Sequence, residues 1–209
     1  MKSKLCYNDV MKQAYHHGNL KESLIKTALE MVEKEGLESI TLRELTKRVG
    51  TSRSALYRHF DSKEGLMREV IQAGFEQLDD TIRPTLLQKE FSVLERFNNM
   101  GRAYILFALE NPAIYRMIFG HELQDVREEN CDIKDETQAT GFHALVALLI
   151  EGQEDALFKK DDPILQATVV WSMIHGLANL LIDGHLHVKD NLDAIFTAGT
   201  QTLFEGLKA

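Results

Sequence analysis

Ser52, Arg53, Ser54, Tyr57, Arg58 and His59 put three hydroxyls, two guanidinium groups and an imidazole within eight residues. These groups hydrogen-bond to phosphate oxygens and base edges. Gathered on one side of a helix, they form a surface suited to nucleic acid. Ala55, Leu56 and Phe60 supply the opposite, buried side.

Other chemistries fit less well. Ser52 and Ser54 lie near His59, but a reading helix accounts for all three better than a nucleophile and base. The chain has no nucleophile elbow, no glycine-rich phosphate cradle and no His-Glu-x-x-His motif, so no enzyme is expected. His185 and His187, with Asp183 and Asp190, offer imidazoles and carboxylates to a metal. A His-x-His pair outside a strand diverges, however, and no third His or Cys is placed by spacing. No metal and no cofactor is expected. His143 and His175 fall on apolar helical faces, where a hydrogen-bonded core histidine is the ordinary role.

Thr41–Phe60 positions the reading residues. Thr41 and Glu44 have the spacing of a capping box. Leu42, Leu45 and Val49 follow at helical spacing, and Gly50 stands where a left-handed cap ends that helix. Thr51 or Ser52 can cap the next one at once. The segment is a helix-turn-helix. It holds five basic residues (Arg43, Lys47, Arg48, Arg53, Arg58) and one acid, Glu44, in a chain of net charge −8. Local positive potential is what binding to phosphates requires.

Charge divides the whole chain the same way. Residues 1–70 carry 13 Lys+Arg and 10 Asp+Glu, and the rest carries 11 and 22. A mildly basic head on an acidic body suits a protein that docks one end on DNA. Two cysteines, Cys6 and Cys131, make neither a disulfide framework nor a metal spacing, which points to a reducing cytoplasm. The N-terminus lacks the pattern of a secretory signal, and no apolar run approaches the roughly 20 residues that span a bilayer.

Helical periodicity dominates and strand alternation is nearly absent, so the fold class is all-α, with about nine helices. Residues 1–17 read as a flexible, weakly basic arm. The first helix is expected from Asn19 to Glu35 and the fourth from Asp61 or Ser62 to Ile82, with Pro84 breaking the chain. Later helices are expected at Phe91–Glu110, Ala113–Phe119, Glu136–Phe158, Pro163–Ile182 and Asn191–Gly206. Gly120 to about Asp135 reads as loop, and Asp183–Asn191 as a polar turn. Gly176 and Gly199 would let helices approach closely.

Residues 18–70 resemble the N-terminal DNA-binding domain of the TetR family of transcriptional regulators. The most specific piece is Leu56-Tyr57-Arg58-His59-Phe60, followed by Ser62-Lys63-Glu64 and Leu66. Residues 171–176, WSMIHG, resemble the C-terminal domain of its Trp-His-Gly (WHG) subgroup. The resemblance implies a sequence-specific regulator, a repressor, that binds a palindromic double-stranded DNA operator as a homodimer. The last two helices would form the dimer interface, and residues 71–209 the effector-binding and dimerisation domain. Thr51, Ser52, Arg53 and Ser54 are the expected base contacts. Thr41, Tyr57, His59 and Lys63 are the expected phosphate contacts, and Arg58 serves either. The resemblance also implies a cavity for an apolar or aromatic small molecule, with Tyr104, Phe107, Tyr115, Met117, Phe119, Phe142, His143, Trp171 and His175 as its lining. Two rival readings remain, a non-specific architectural DNA binder and an interaction adaptor that has lost DNA binding. An operator-versus-random affinity ratio separates them.

Overall fold

Three short amphipathic helices bury one face each at the start of the computed structural model, which describes residues 20–123, 125–126, 141–186 and 192–208. They are α1 (Leu20–Glu35), α2 (Leu42–Val49) and α3 (Arg53–Leu56). Leu24, Ala28, Met31 and Val32 of α1 meet Leu45 and Val49 of α2, Leu56 of α3, and Phe60 in one buried cluster. The arm at 1–17 lies outside the described residues. So do most of the expected loop up to Asp135, the start of the seventh expected helix, and the end of the polar turn.

The caps explain where these helices begin and end. Thr41 accepts from the backbone N–H of Glu44, and Ser52 from that of Ala55. Glu44 does not complete the expected box. Its carboxylate turns to Arg48, 3.1 Å away. The full reciprocal box is at Ser92 and Glu95 instead. Gly50 has φ 73°, the left-handed conformation that ends α2.

Helix α4 (Lys63–Leu87) spans 25 residues, capped by Ser62. Leu66, Val70, Gly74, Leu78, Ile82 and Leu86 recur along its buried face, which serves head and body alike. It runs through Pro84, where a break was expected. Proline removes one donor and crowds the carbonyl four residues back. Here the ring is exposed, and Ile82 and Leu86 on the other side are 5% and 3% exposed. Packing therefore outweighs the lost bond, and the helix continues one more turn.

The body comprises α5 (Val93–Glu110), α6 (Pro112–Phe119), α7 (Gly141–Glu154), α8 (Pro163–Ile182) and α9 (Leu192–Leu207). Among the described residues the sole extended pairing is one bridge, Phe158 with Lys208, so the all-α class holds. Gly101 of α5 meets the Phe196 ring of α9, which is why α9 can approach there. Gly176, expected at a close approach, has nothing near it within this chain.

Helix α7 stops at Glu154, four residues before the expected end at Phe158. Ala156 takes φ 53°, and the chain turns back. The N–H groups of Leu157 and Phe158 both donate to the Gly152 carbonyl, at 2.9 and 3.0 Å. This returns the Phe158 ring, 1% exposed, onto Gly152, where an added Cβ would overlap it. Gly152→Ala is therefore expected to destabilise the fold by about 1–3 kcal/mol, as overpacking does. A urea melt coinciding with that of the unaltered protein would overturn this account of the turn.

The ends of α4, α5 and α7 are joined by a buried ion pair. Arg96 is 3% exposed and donates to Glu151 through two nitrogens. It also donates to the carbonyls of Leu86 and Phe91, each at 3.2 Å. Lys89 reaches Glu151 from outside at 2.9 Å.

Helices α8 and α9 leave much apolar surface unpaired. On α8, Leu165 is 58% exposed, Val169 56% and Leu180 44%. On α9 only Phe196 and Leu207 are buried. By length and hydropathy alone α8 could cross a membrane, contrary to the expectation that no run would suffice. Its buried residues Ala167, Val170, Ile174 and Ala178 join the body's core instead.

Candidate nucleic-acid interface and aromatic chamber

The turn between α2 and α3 places nearly all the reading side chains at the surface. Ser52, Arg53, Ser54, Tyr57, Arg58 and His59 are exposed, and Thr51 is partly buried. Ser52 and Ser54 hydroxyls lie 2.9 Å apart, which holds one against the other at the start of α3. The helix itself is a single turn, and Tyr57–His59 continue it as turns closed by N–H bonds back to Arg53, Ala55 and Leu56. Leu56 and Phe60, 0% and 4% exposed, anchor that turn from beneath. Thr41 and Lys63 are exposed as well, each at a helix start.

The five cations counted in this segment are not equal. Arg48 grips Glu35 with two nitrogens, at 2.7 and 2.9 Å, and Glu44 with a third. Its hydrogen bonds hold both carboxyls below the ordinary carboxylate range. Lys47 lies 3.7 Å from Glu44. Arg43, Arg53, Arg58 and Lys63 have no ion-pair partner among the described residues, so their charge faces outward. Residue-type reasoning omitted Arg43 from the site. Its only signal was its place two residues after the Thr41 cap.

In the body, seven of the nine expected lining residues come together. The hydroxyls of Tyr104 (α5) and Tyr115 (α6) are 3.0 Å apart, and they lie 3.0 and 2.7 Å from His175 Nδ1 (α8). Phe119, Trp171 and His175 form mutual ring contacts, and Phe142 with His143 joins through Trp171. Phe75 of α4 meets Phe119 edge-on at 5.4 Å, a member that its spacing on α4 assigned only to the core. Met117 lies elsewhere, its methyl against Gly74, and Phe107 is buried with no ring contact to this group.

Burial sets the protonation of the chamber. It lowers His175 below the ordinary histidine range, so the imidazole is neutral at neutral pH and Nδ1 accepts. It pushes Tyr104 up to about 12 and raises Tyr115 further. The polar heart is thus uncharged, and aromatic faces wall it in.

An exposed, cation-bearing helix-turn-helix on a helical body that encloses an aromatic chamber defines a DNA-binding regulator. Residues 24–70 match the family of bacterial regulatory proteins named for tetR, and residues 97–203 match a tetracyclin repressor-like C-terminal domain. The chain belongs to the TetR family. It is similar to the nucleoid occlusion factor SlmA of Vibrio atlanticus, at 30% identity over 181 residues, 84% of this chain and 91% of that one. The SlmA of Vibrio cholerae is 35% identical over 106 residues, about half of each protein. A protein of unknown function from Rhodococcus sp. RHA1 has the same fold, with a TM-score of 0.77 at 25% identity over 95% of this chain and 100% of that one. So has a TetR variant from Acinetobacter baumannii AYE in complex with minocycline, with a TM-score of 0.62 at 19% identity over 89% and 94% of the two chains. The family and relatives are DNA-binding regulators, not enzymes.

Proposed function

We propose that this regulator is a ligand-responsive repressor. Two copies join through α8 and α9 and bind a palindromic operator. Thr51, Ser52, Arg53 and Ser54 face base edges. Thr41, Tyr57, His59 and Lys63 hold phosphates, and Arg58 serves either role. The observation that carries this reading is the exposed set around α3, with cations that no carboxylate of the described chain neutralises. An apolar or aromatic molecule enters among Phe119, Phe142, Trp171 and His175, and favours the conformation that leaves DNA. The minocycline complex of the Acinetobacter relative supports a small-molecule site in a body of this fold.

The test is binding to the DNA upstream of its own gene, across a salt series, against a scrambled duplex. A preference of about a thousandfold or more at physiological salt is expected. Tyr57→Ala should weaken binding to every sequence. Arg53→Ala should relax discrimination at one operator position, by about 1–3 kcal/mol. Wild-type affinity and selectivity in both variants would refute the assignment of these contacts.

The SlmA alignment over most of the chain favours a second reading, in which the protein occupies many chromosomal sites and acts in nucleoid occlusion. Mapping its bound sites separates the two. Clustering at promoters whose transcripts respond to its loss supports the repressor; dispersed sites without such response support the occlusion factor.

A further inference from the structure

A trough of about 530 Å³ runs between α1 and α4 on the flank of the head. Its walls carry Glu22, Glu30, Glu33, Glu69, Glu76 and Asp80 against one base, Lys26. Its floor is apolar, formed by Ile25, Leu29 and Ala73. A regulator that must approach phosphates gains nothing from acid here, and the reading residues do not line it. The chemistry that fits is a cationic, amphipathic segment.

The chain holds one. Residues 1–19, which precede α1 and lie outside the described residues, contain Lys2, Lys4 and Lys12 against one acid, Asp9. Tyr7, Val10, Met11, Ala14 and Tyr15 recur at helical spacing, which makes one apolar stripe. Gly18 and Asn19, residues suited to a chain reversal, stand just before Leu20, and Glu22 on the trough wall follows two residues later. From Glu22 to Glu33 the wall of α1 extends roughly 17 Å at the helical rise. A nine-residue helix, roughly 14 Å long, fits within that length.

We propose that the α1–α4 trough binds the chain's own residues 7–15, folded back at Gly18–Asn19 with Val10 and Met11 toward Ile25 and Leu29. Lys4 and Lys12 face the glutamates of the walls. The docked segment clamps α1 to α4, and its lysines become available to DNA only when it leaves.

Cys6 allows a direct test. A nitroxide is attached there in the full-length Cys131→Ser protein, and amide signals are followed at low salt. Broadening at Ile25, Leu29, Ala73 and Gln77 is expected. It should fade as salt reaches about 1 M, where screening falls to about 3 Å. It should also fade in Glu30→Lys/Glu76→Lys, whose altered side chains lie at the trough rim, with the amides of α8 and α9 unshifted. Unbroadened trough amides at low salt would overturn the proposal. So would broadening that persists after the charge reversal. In a mixture of isotope-labelled chains without nitroxide and unlabelled chains with it, broadening would identify a second copy as the occupant and overturn docking by the chain's own arm.

Discussion

Replacing Glu151 by alanine is expected to lower the unfolding free energy by about 3 kcal/mol at neutral pH. The loss would come from Arg96 rather than from Glu151 itself. The guanidinium side chain is 4% exposed and sits among the ends of α4, α5 and α7. Breaking such a pair from one side costs about 3–5 kcal/mol, because a charge is left buried without its partner. The retained bonds to the Leu86 and Phe91 carbonyls keep the loss at the lower end. Hydrogen bonds from Arg96 and then Lys89 hold the Glu151 carboxyl at about 2. Its value in the unfolded chain is about 4.3, so the contribution is whole above that pH and disappears as pH falls toward 2. Urea melts at pH 7 and near pH 2.5 should show the gap between variant and parent closing in acid. A gap under about 0.5 kcal/mol at pH 7, the range of ordinary surface changes, would remove the pair from the list of supports.

Val169→Asp is expected to leave the folded subunit intact and abolish its pairing. The side chain is 56% exposed in the single chain, so the substitution costs the subunit little. Across a two-fold axis the same change appears twice and places two carboxylates in an apolar contact. Losing simultaneous engagement of two half-sites reduces operator affinity by about 10²–10⁴-fold. Sedimentation should report a single chain, and helical circular dichroism should be unchanged. A dimer that survives with full operator affinity would locate the interface elsewhere than α8.

The features legible in the sequence are those decided within a turn of the residue concerned. Gly50, Ser52 and Ser62 could be assigned to caps because a cap needs only its own backbone and the next three residues. The aromatic chamber was legible in residue type, since bulky rings at helical spacing on three helices have few other places to go. Its pivot, two tyrosine hydroxyls on one histidine nitrogen, depends on residues 60 and 71 positions apart and has no local trace. Arg48 shows the same limit: its silencing by Glu35, 13 residues away, reverses what a local count of cations suggests. Pro84 misled because the rule against proline concerns the helix alone, whereas Ile82 and Leu86 are held by the rest of the core. The ion pair of Arg96 with Glu151 joins residues 55 apart and has no periodic signal at all.

Head and body share one continuous set of buried side chains, threaded along α4 from Leu66 to Leu86. Such a molecule melts in one step, so heat cannot separate the part that grips DNA from the part that holds the chamber. A compound that fills the chamber therefore raises the temperature at which the head unfolds, by an amount set only by its concentration and its affinity. A library can be screened on a plate by dye fluorescence against temperature, before any operator has been found.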